Sequence, residues 1–338
     1  MIFRLSKLLL ICLLPCIYIN WVWSAEYSFL LSWPTPNPSF VQGLGYSTFL
    51  QKTGPEKEFS SGAFGCVRNN GHKFHEGVDL FPVKREQNGR ALDSVFSAMR
   101  GRVAYINNAS TKSSYGKYIV LEHDHFRPVL YSLYAHLDSF SPSLKVGSSV
   151  KVAEVLGRMG NSSSFGIPLN RSHLHFEIGL RLSENFQNWY NRKTFKTPNT
   201  HGNFNGYNLV GIDPLSFFKD YQAGKISSPA DYLHNLKETV SVAVRSNQRP
   251  NILAINPSLE RSPTSPSRQH DGWICRFGPY GIPLSFEKAS VSGAKNIEVL
   301  TFSESAGRGF CRKLVENRNN LLMPSEQLEA YLEILFTN

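Results

Sequence analysis

The segment from Ser172 to Ile178 alternates polar and apolar side chains, and this alternation constrains the fold more than any other feature of the chain. A period of two residues is typical of a half-buried β-strand. Because alternate side chains of a strand share one face, we expect His173, His175 and Glu177 to lie on the same face of a sheet. The sequence therefore predicts a strand that brings two imidazoles and one carboxylate together.

A second histidine and a carboxylate, His75 and Asp79, lie four residues apart in the motif HEGVD. On a straight strand this spacing is roughly 13 Å. That distance is too long for two ligands of one ion, whose bonds are about 2 Å. Gly77 and Val78 argue against a helix, which would bring the two side chains close together. We therefore expect the segment to bend, which Gly77 permits.

Imidazole and carboxylate groups are ligands that suit zinc, and three protein ligands plus a water are typical of a catalytic zinc site. A closed structural site would need a fourth strong ligand. Each histidine taken alone is weak evidence, because a lone histidine in a strand is more often a packed or a surface residue. The motif YAHL at residues 134–137 supplies one further histidine, His136.

The motif HDH at residues 123–125 has the same spacing as the pair in residues 173–175. It ends an apolar run and precedes Phe126 and Pro128, so the sequence predicts a turn with a solvent-exposed His123. The remaining histidines that lie in polar, turn-rich stretches receive no predicted role; these are His72, His201, His234 and His270.

A family resemblance follows from the order of short motifs along the chain. These are GAFG at 62–65, HEGVDL at 75–80, AMRGRV at 98–103, YGKYIVLEH at 115–123, YAHL at 134–137, KVGSSVK at 145–151, GRMGNS at 157–162, HLHFE at 173–177 and DPL at 213–215. In this order they resemble the lysostaphin/LytM-type zinc metallopeptidases, which cleave peptidoglycan. An ordered match of all these pieces is far more specific than any single motif.

The resemblance implies a mainly β fold, with an antiparallel β-sheet groove of the duplicated hybrid motif-like kind and a metal on its floor. It implies that one Zn²⁺ ion is bound by His75, Asp79 and His175. It also implies that His136 and His173 are the catalytic pair, which activates water and steadies the charged transition state.

Other positions remain open or depart from the family pattern. Glu177 either orients a site histidine or is a surface or sheet-packing residue, and the sequence does not decide between these roles. Many members of the family have a Gly-Pro-type sequence just before the strand that carries the H-x-H motif, where this chain has residues 170–172. Residues 82–93 form a loop that is longer and more charged than a minimal one. Residues 182–208 form a long polar and aromatic insertion. Because loops carry specificity, these departures affect the expected substrate fit and leave the predicted metal ligands intact.

The chain has 338 residues and a formal net charge of +10, enough length for two domains and a charge that favours an anionic partner. Peptidoglycan fits that description. Nucleic acid is not expected, because no clustered basic stripe or nucleic-acid motif is present.

The first residues resemble an export signal. Arg4 and Lys7 precede an apolar run from Leu8 to Val22, and Ala25 offers a small residue for cleavage. The run is short for a membrane span, which needs about 20 apolar residues. We therefore expect residues 1–25 to be a signal peptide, or an uncleaved anchor, and a membrane is a predicted partner only in the second case. Either way the body of the protein is expected to be exported.

Composition shifts divide the rest of the chain. We expect an irregular lead-in at 26–58, the zinc peptidase domain at 59–220, a short helix (229–244) with a Pro- and Ser-rich linker within 221–271, and a small α+β appendage at 272–338. A helix capped by Ser325 is expected near the C-terminus. The linker composition predicts few contacts between the appendage and the rest of the chain.

Five cysteines give weak constraints, because Cys12 and Cys16 lie in the predicted signal. Cys275 and Cys311 flank one C-terminal segment and are the expected pair if a disulfide forms. Cys66 is expected to be a small buried hydrophobic residue.

Taken together, these features predict an exported zinc-dependent endopeptidase that hydrolyses amide bonds in peptidoglycan cross-links. Two alternatives stay open. One is a catalytically silent wall-binding module that regulates other wall hydrolases. The other is a zinc peptidase that acts on a secreted or surface protein. The presence of all five site residues favours an enzyme.

Overall fold

A computed structural model describes residues 28–53, 58–263, 270–291, 296–303 and 311–337, so the predicted signal at residues 1–25 lies outside it. The fold is mainly β, as the sequence predicts. The strands are β1 Gly65–Arg68, β2 Lys73–His75, β3 Val78–Leu80, β4 Ser94–Phe96, β5 Gly101–Asn107, β6 Tyr118–Glu122, β7 Tyr131–Ala135, β8 Leu137–Phe140, β9 Ser149–Val150, β10 Val155–Met159, β11 Leu174–Arg181, β12 Leu209–Ile212, β13 Val240–Arg245, β14 Glu260–Arg261, β15 Gly272–Phe277, β16 Pro283–Ala289, β17 Ile297–Phe302, β18 Val315–Arg318 and β19 Leu321–Pro324. The α-helices are α1 Phe186–Asn191, α2 Pro214–Gln222, α3 Pro229–Asn235, α4 Ile252–Ile255 and α5 Glu326–Phe336. Within the described ranges, no helix has the length and hydropathy that a membrane span requires.

A seven-stranded antiparallel sheet forms the first half of the molecule, in the order β12-β11-β7-β6-β5-β9, with β3 also paired to β11. Strand β11 lies inside this sheet, because β7 pairs along one edge while β3 and β12 share the other. A three-stranded sheet, β4-β10-β8, packs nearby. The last residue of β7 and the first of β8 are separated by His136 alone, so a single residue connects the two sheets.

The alternation in β11 divides its side chains between two faces. Leu174, Phe176 and Ile178 are fully buried in the main hydrophobic core, while His175 and Glu177 lie on the opposite face. That opposite face is also covered, so the strand is buried on both faces and not half-buried as predicted. Tyr115 is one of the residues that cover this face, and its hydroxyl contacts Glu177.

Over its described residues, 28–53 and 58, the lead-in has one short 3₁₀ turn and is otherwise irregular, but it is not detached from the core. Trp33 and Phe40 stack with ring centroids 4.3 Å apart, and both contact Phe218 of α2 edge-on. Phe49 completes this cluster. Aromatic burial of this kind explains why residues outside the sheets are held against it.

The C-terminal region forms a five-stranded sheet, β14-β16-β15-β13-β17, with α5 alongside. The predicted helix is confirmed: Ser325 caps α5 by accepting a hydrogen bond from the backbone N–H of Leu328. The expected helix at 229–244 is wrong in its second half, because α3 ends at Asn235 and β13 follows. The sequence VSVAV at 240–244 alternates β-branched residues, which favours a strand.

Strand β13 lies in the segment 221–271, which was expected to hold only a short helix and a linker, yet it is a central strand of this sheet. The C-terminal sheet therefore draws residues from both sides of position 272. The boundaries of the domains stay predictions.

The expectation of few contacts between the C-terminal region and the rest of the chain is wrong. The indole N–H of Trp189 donates to Glu333 at 3.0 Å, and the backbone N–H of Val129 donates to the side-chain oxygen of Asn256 at 2.6 Å. One continuous hydrophobic cluster also includes side chains from both regions, among them Phe217 and Leu328. The Pro- and Ser-rich composition of the linker did not indicate this, because α5 and Asn256 contact the first half of the chain.

The cysteine pairing also differs from the expectation. Cys66 of β1 is bonded to Cys311, and Cys275 is a free, buried thiol. Sequence proximity favoured the pair within the C-terminal segment, whereas tertiary packing brings Cys311 to a strand 245 residues earlier in the chain. Burial raises the pKa of the Cys275 thiol, which is therefore protonated and inert.

Removing the Asn256 side chain should destabilise the protein, because Asn256 and Val129 are buried and the Val129 N–H would lose its partner. An unsatisfied buried donor costs about 1–3 kcal/mol. We expect Asn256→Ala to lower the free energy of unfolding by that amount in denaturant titrations. Overlapping curves for the variant and wild type would show that this contact contributes nothing.

Candidate metal centre

The bend predicted within HEGVD is present. Strand β2 ends at His75 and β3 begins at Val78, with Glu76 and Gly77 between them. A Cβ on Gly77 would lie 2.2 Å from the carbonyl oxygen of Phe176, so only glycine fits at this crossing. The bend returns Asp79 towards His75, which a straight strand could not do.

Strand pairing then brings the third residue in. His175 of β11 lies directly opposite Asp79 of β3 in the antiparallel register. On the other side, Gly65 of β1 lies opposite His75 of β2. The backbone thus fixes the positions of all three side chains before any contact between them is considered.

Three donor atoms converge at the centre. His75 Nε2 lies 3.1 Å from His175 Nδ1 and 3.2 Å from Asp79 Oδ1. His175 Nδ1 and Asp79 Oδ1 are 2.9 Å apart. Ligand atoms of a tetrahedral ion with bonds of about 2 Å are separated by about 3.3 Å, so this triangle fits the size of a zinc ion. The three side chains are the cluster of potential metal ligands found in the described part of the chain.

Hydrogen bonds outside the triangle fix which nitrogen of each ring faces inwards. His75 Nδ1 donates to the carbonyl oxygen of Ala63 at 2.7 Å, which leaves Nε2 facing the cluster. His175 Nε2 donates to Glu177 Oε1 at 2.9 Å, which leaves Nδ1 for the cluster. Partners of this kind orient metal-binding histidines and tune their basicity.

Glu177 is itself held by two tyrosines. Tyr115 donates its hydroxyl hydrogen to Oε1, and Tyr131 donates to Oε2 at 2.9 Å. Burial, followed by the charge of Glu177, raises the pKa of both hydroxyls well above the usual value. The tyrosines are therefore protonated donors. Of the roles left open for Glu177, the structure favours orientation of His175, because the Glu177 carboxylate contacts that ring directly.

The remaining two histidines lie beside the triangle. His173 Nδ1 donates to the carbonyl oxygen of Arg171 at 2.7 Å, and its Nε2 lies 3.6 Å from Asp79 Oδ1. His136 Nδ1 donates to the carbonyl oxygen of Ser162 at 2.8 Å. The two ring centroids are 4.9 Å apart. His136 has a φ of 59°, a left-handed conformation that is uncommon outside glycine and typical of constrained functional positions.

Protonation states differ across the cluster. Burial lowers the pKa of His136 well below its usual range and also lowers the pKa of His173. Burial acts in the same direction on His175, but hydrogen bonds to Asp79 and Glu177 outweigh it and raise its pKa to about 9. A metal bound at Nδ1 of His175 would displace that proton, so zinc binding should release a proton at neutral pH.

His123 differs from its predicted exposure. It follows β6 and precedes a turn, as expected, but it is fully buried. Its Nδ1 lies 2.8 Å from the carbonyl oxygen of Arg100, and its Nε2 lies 2.8 Å from Ser132 Oγ. The prediction was wrong because the turn begins at Asp124, one residue after His123, so the His123 ring stays inside the sheet. His123 makes no contact with the metal cluster and holds the sheet together.

His123 should make the fold sensitive to acid. Burial lowers its pKa from 6.5 to about 4, so the unfolded chain takes up this proton more readily than the folded chain. Stability is therefore full above about pH 6.5 and decreases as the pH falls towards 4, by about 3 kcal/mol for this shift. Unfolding titrations across this range should show a shallower pH dependence for His123→Gln than for wild type. Parallel pH dependences would contradict this assignment.

Among the described residues, none of the four histidines without a predicted role belongs to the cluster of potential metal ligands. His201, in the insertion, contacts the hydroxyl of Tyr118 at 2.9 Å and that of Tyr105 at 3.1 Å. It joins the insertion to the face of the sheet that carries the cluster. His234 is exposed on α3.

Two groups near the cluster have no clear signal in the sequence. Arg68 of β1 forms an ion pair with Asp79 Oδ2, although an arginine before a turn is usually solvated. Tyr131 contacts Glu177 from a neighbouring strand, and only the strand register reveals this. Tyr115 belongs to a motif that carries the family resemblance, but its contact with Glu177 depends on the fold.

The chain is similar in part to several solved protein structures. Among solved structures, Csd3 of Helicobacter pylori is 28% identical over 45% of this chain and 30% of its own, with a TM-score of 0.27. The catalytic domain of the antimicrobial peptidase lysostaphin from Staphylococcus simulans is 21% identical over 47% of this chain and 89% of its own, with a TM-score of 0.29. A zinc-containing peptidase from Vibrio cholerae is 25% identical over 38% of this chain and 31% of its own, with a TM-score of 0.24. None of the curated proteins compared with the chain matches it.

A comparison with family models gives the most specific result. The model described as peptidase family M23 matches residues 73–188. The match begins in β2 and ends in α1, so it includes all three residues of the triangle and both neighbouring histidines. The resemblance to lysostaphin/LytM-type peptidases is thereby confirmed: the model of peptidase family M23 matches residues 73–188 of this chain.

Proposed function

We propose that the chain is an exported, zinc-dependent endopeptidase that hydrolyses amide bonds in the peptide cross-links of peptidoglycan. The observation that carries the proposal is the convergence of His75, Asp79 and His175 beside the pair His136 and His173. Three ligands with two further imidazoles supply what hydrolysis at a metal uses: a binding set and separate groups that move protons.

In this proposal His75 Nε2, Asp79 Oδ1 and His175 Nδ1 hold one zinc ion. Bound zinc would supply a water of lowered pKa and polarise the carbonyl of the scissile amide. The donor set supports this choice, because two imidazoles and one carboxylate suit zinc better than calcium or magnesium, which take oxygen ligands.

His136 and His173 handle the protons. Each ring donates through Nδ1 to a backbone carbonyl, so Nε2 of the neutral ring is the acceptor. Their lowered pKa values keep both rings neutral at the pH of the reaction. One ring accepts the proton of the attacking water, and that proton then passes to the leaving amine. While it carries that proton, the same ring donates a hydrogen bond through Nε2 to the developing oxyanion.

The substrate part of the proposal rests on the family resemblance and on charge. The formal net charge of +10 suits an anionic wall polymer. Export rests on the apolar segment at residues 8–22, which follows Arg4 and Lys7 as in a signal peptide.

Mass spectrometry of fragments released from purified walls tests the proposal. The two peptide stems released from each cross-link should together weigh one water more than the cross-linked peptide, and Asp79→Ala should release none. Binding to walls without any fragment would support the silent module instead. Cleavage of surface proteins with intact cross-links would support the second alternative.

A further inference from the structure

The carboxylate of Asp79 has two oxygens in different surroundings. Oδ1 faces His75 and His175, at 3.2 and 2.9 Å from their inward nitrogens. Oδ2 is turned away and forms an ion pair with the Nη2 of Arg68. The same guanidinium donates through Nε to the carbonyl oxygen of Ser61 at 3.1 Å, so two hydrogen bonds fix its orientation.

This arrangement leaves one oxygen of Asp79 for a metal. A carboxylate with both oxygens free can bind an ion through either one or through both, which would fill a coordination position needed by water. A guanidinium on Oδ2 favours the single-oxygen mode, because Nη2 occupies that oxygen while Nε is anchored on the carbonyl oxygen of Ser61. Asp79 is 1% exposed, so solvent does not compete for Oδ2.

The strand that carries Arg68 is anchored from the C-terminal region. Cys66, two residues earlier on β1, is bonded to Cys311. Tyr280 packs on the same strand, since a Cβ at Gly65 would lie 3.0 Å from its hydroxyl. The guanidinium of Arg312 lies 4.0 Å from the ring centroid of Phe74 on β2, which pairs with β1.

We propose that Arg68 is a positioning residue that reserves Oδ1 of Asp79 for the metal, and that the Cys66–Cys311 disulfide holds the strand from which Arg68 acts. The proposal rests on the proposed function for the identity of the metal ligands. It gives the C-terminal region a role at the metal centre, because Cys311 of that region holds strand β1 beside the metal ligands.

Zinc affinity of the purified full-length chain, measured by competition with a chromophoric chelator, tests the role of Arg68. Loss of a group that orients a metal ligand typically weakens binding by about 10–100-fold. We expect a loss of that size for Arg68→Met and a smaller loss for Arg68→Lys, which keeps the charge without the fork. Arg102→Met is the matched control, because Arg102 pairs with the carboxylate of Glu122 away from the cluster, and it should match wild type.

The visible spectrum of the Co²⁺-substituted protein gives a second readout, which a general loss of protein stability would not change. Four-coordinate Co²⁺ absorbs visible light more strongly than ions of higher coordination number, so the spectrum reports the mode of the carboxylate. Arg68→Met should weaken the bands at saturating Co²⁺, while Arg102→Met should not. Unchanged bands and a zinc affinity equal to wild type in a folded Arg68→Met chain would overturn the proposal.

The disulfide is tested by a double-mutant cycle. Replacing Cys66 and Cys311 together with serine should weaken zinc binding, and adding Arg68→Met should then cost less than it does in the intact protein. Fully additive losses would show that the disulfide acts independently of Arg68 and would overturn that part. Wild type that binds no zinc would instead overturn the proposed function, so the two failures are distinguishable.

Discussion

Purified protein should carry about one zinc ion per chain, and Asp79→Ala should lose most of it. The substitution removes Oδ1, which lies within 3.2 Å of both inward histidine nitrogens. It also leaves Arg68 without its carboxylate partner. Loss of a group that only orients a ligand typically weakens metal affinity by about 10–100-fold, and we expect loss of a ligand itself to weaken it more. Elemental analysis of the purified chains measures the result.

A matched control for this loss is Asp124→Ala. Asp124 pairs with Arg102 and His125 on the surface and is not part of the cluster. It should retain the zinc content of wild type. Equal zinc in Asp79→Ala and wild type would contradict the ligand assignment.

The second large effect separates ligands from catalysts. His136→Ala and His173→Ala should keep zinc and lose turnover by about 10²–10⁴-fold, the usual contribution of a general acid or base. Their Nδ1 atoms are engaged with the backbone carbonyls of Ser162 and Arg171, so neither ring is needed to complete the triangle. Steady-state rates on soluble cross-linked peptides, with zinc content measured in parallel, give both numbers.

His234→Ala is the control for these variants, because His234 is exposed on α3 and remote from the sheet that holds the cluster. It should match wild type in rate and zinc. His123→Ala is less suitable, since its buried ring supports the sheet and its removal would lower stability. Normal turnover in His136→Ala would show that the proton-transfer groups are misassigned.

The sequence predicted the local geometry well where only neighbouring residues decide it. The alternation in residues 172–178 predicted one shared face for His175 and Glu177, and both lie there. The glycine in HEGVD predicted a bend, and the close approach of Gly77 to Phe176 shows why glycine is required. In both cases a few neighbouring residues determine the local geometry.

Features that depend on long-range packing were beyond the sequence. The bond from Cys66 to Cys311 joins residues 245 apart, and nothing near either cysteine indicates the other. Arg68 gains its partner only when β1 pairs with β2 and the HEGVD bend returns Asp79. The burial of His123 depends on where β6 ends relative to the turn, a matter of one residue.

The most direct test of the account is a crystal structure of the zinc-loaded protein with anomalous data collected at the zinc edge. The account predicts one anomalous peak within bonding distance of His75 Nε2, Asp79 Oδ1 and His175 Nδ1. His136 and His173 should lie beside it without bonding, and Arg68 should remain on Oδ2. A peak bonded to His136 or His173, or a peak elsewhere with the triangle empty, would contradict the central claim.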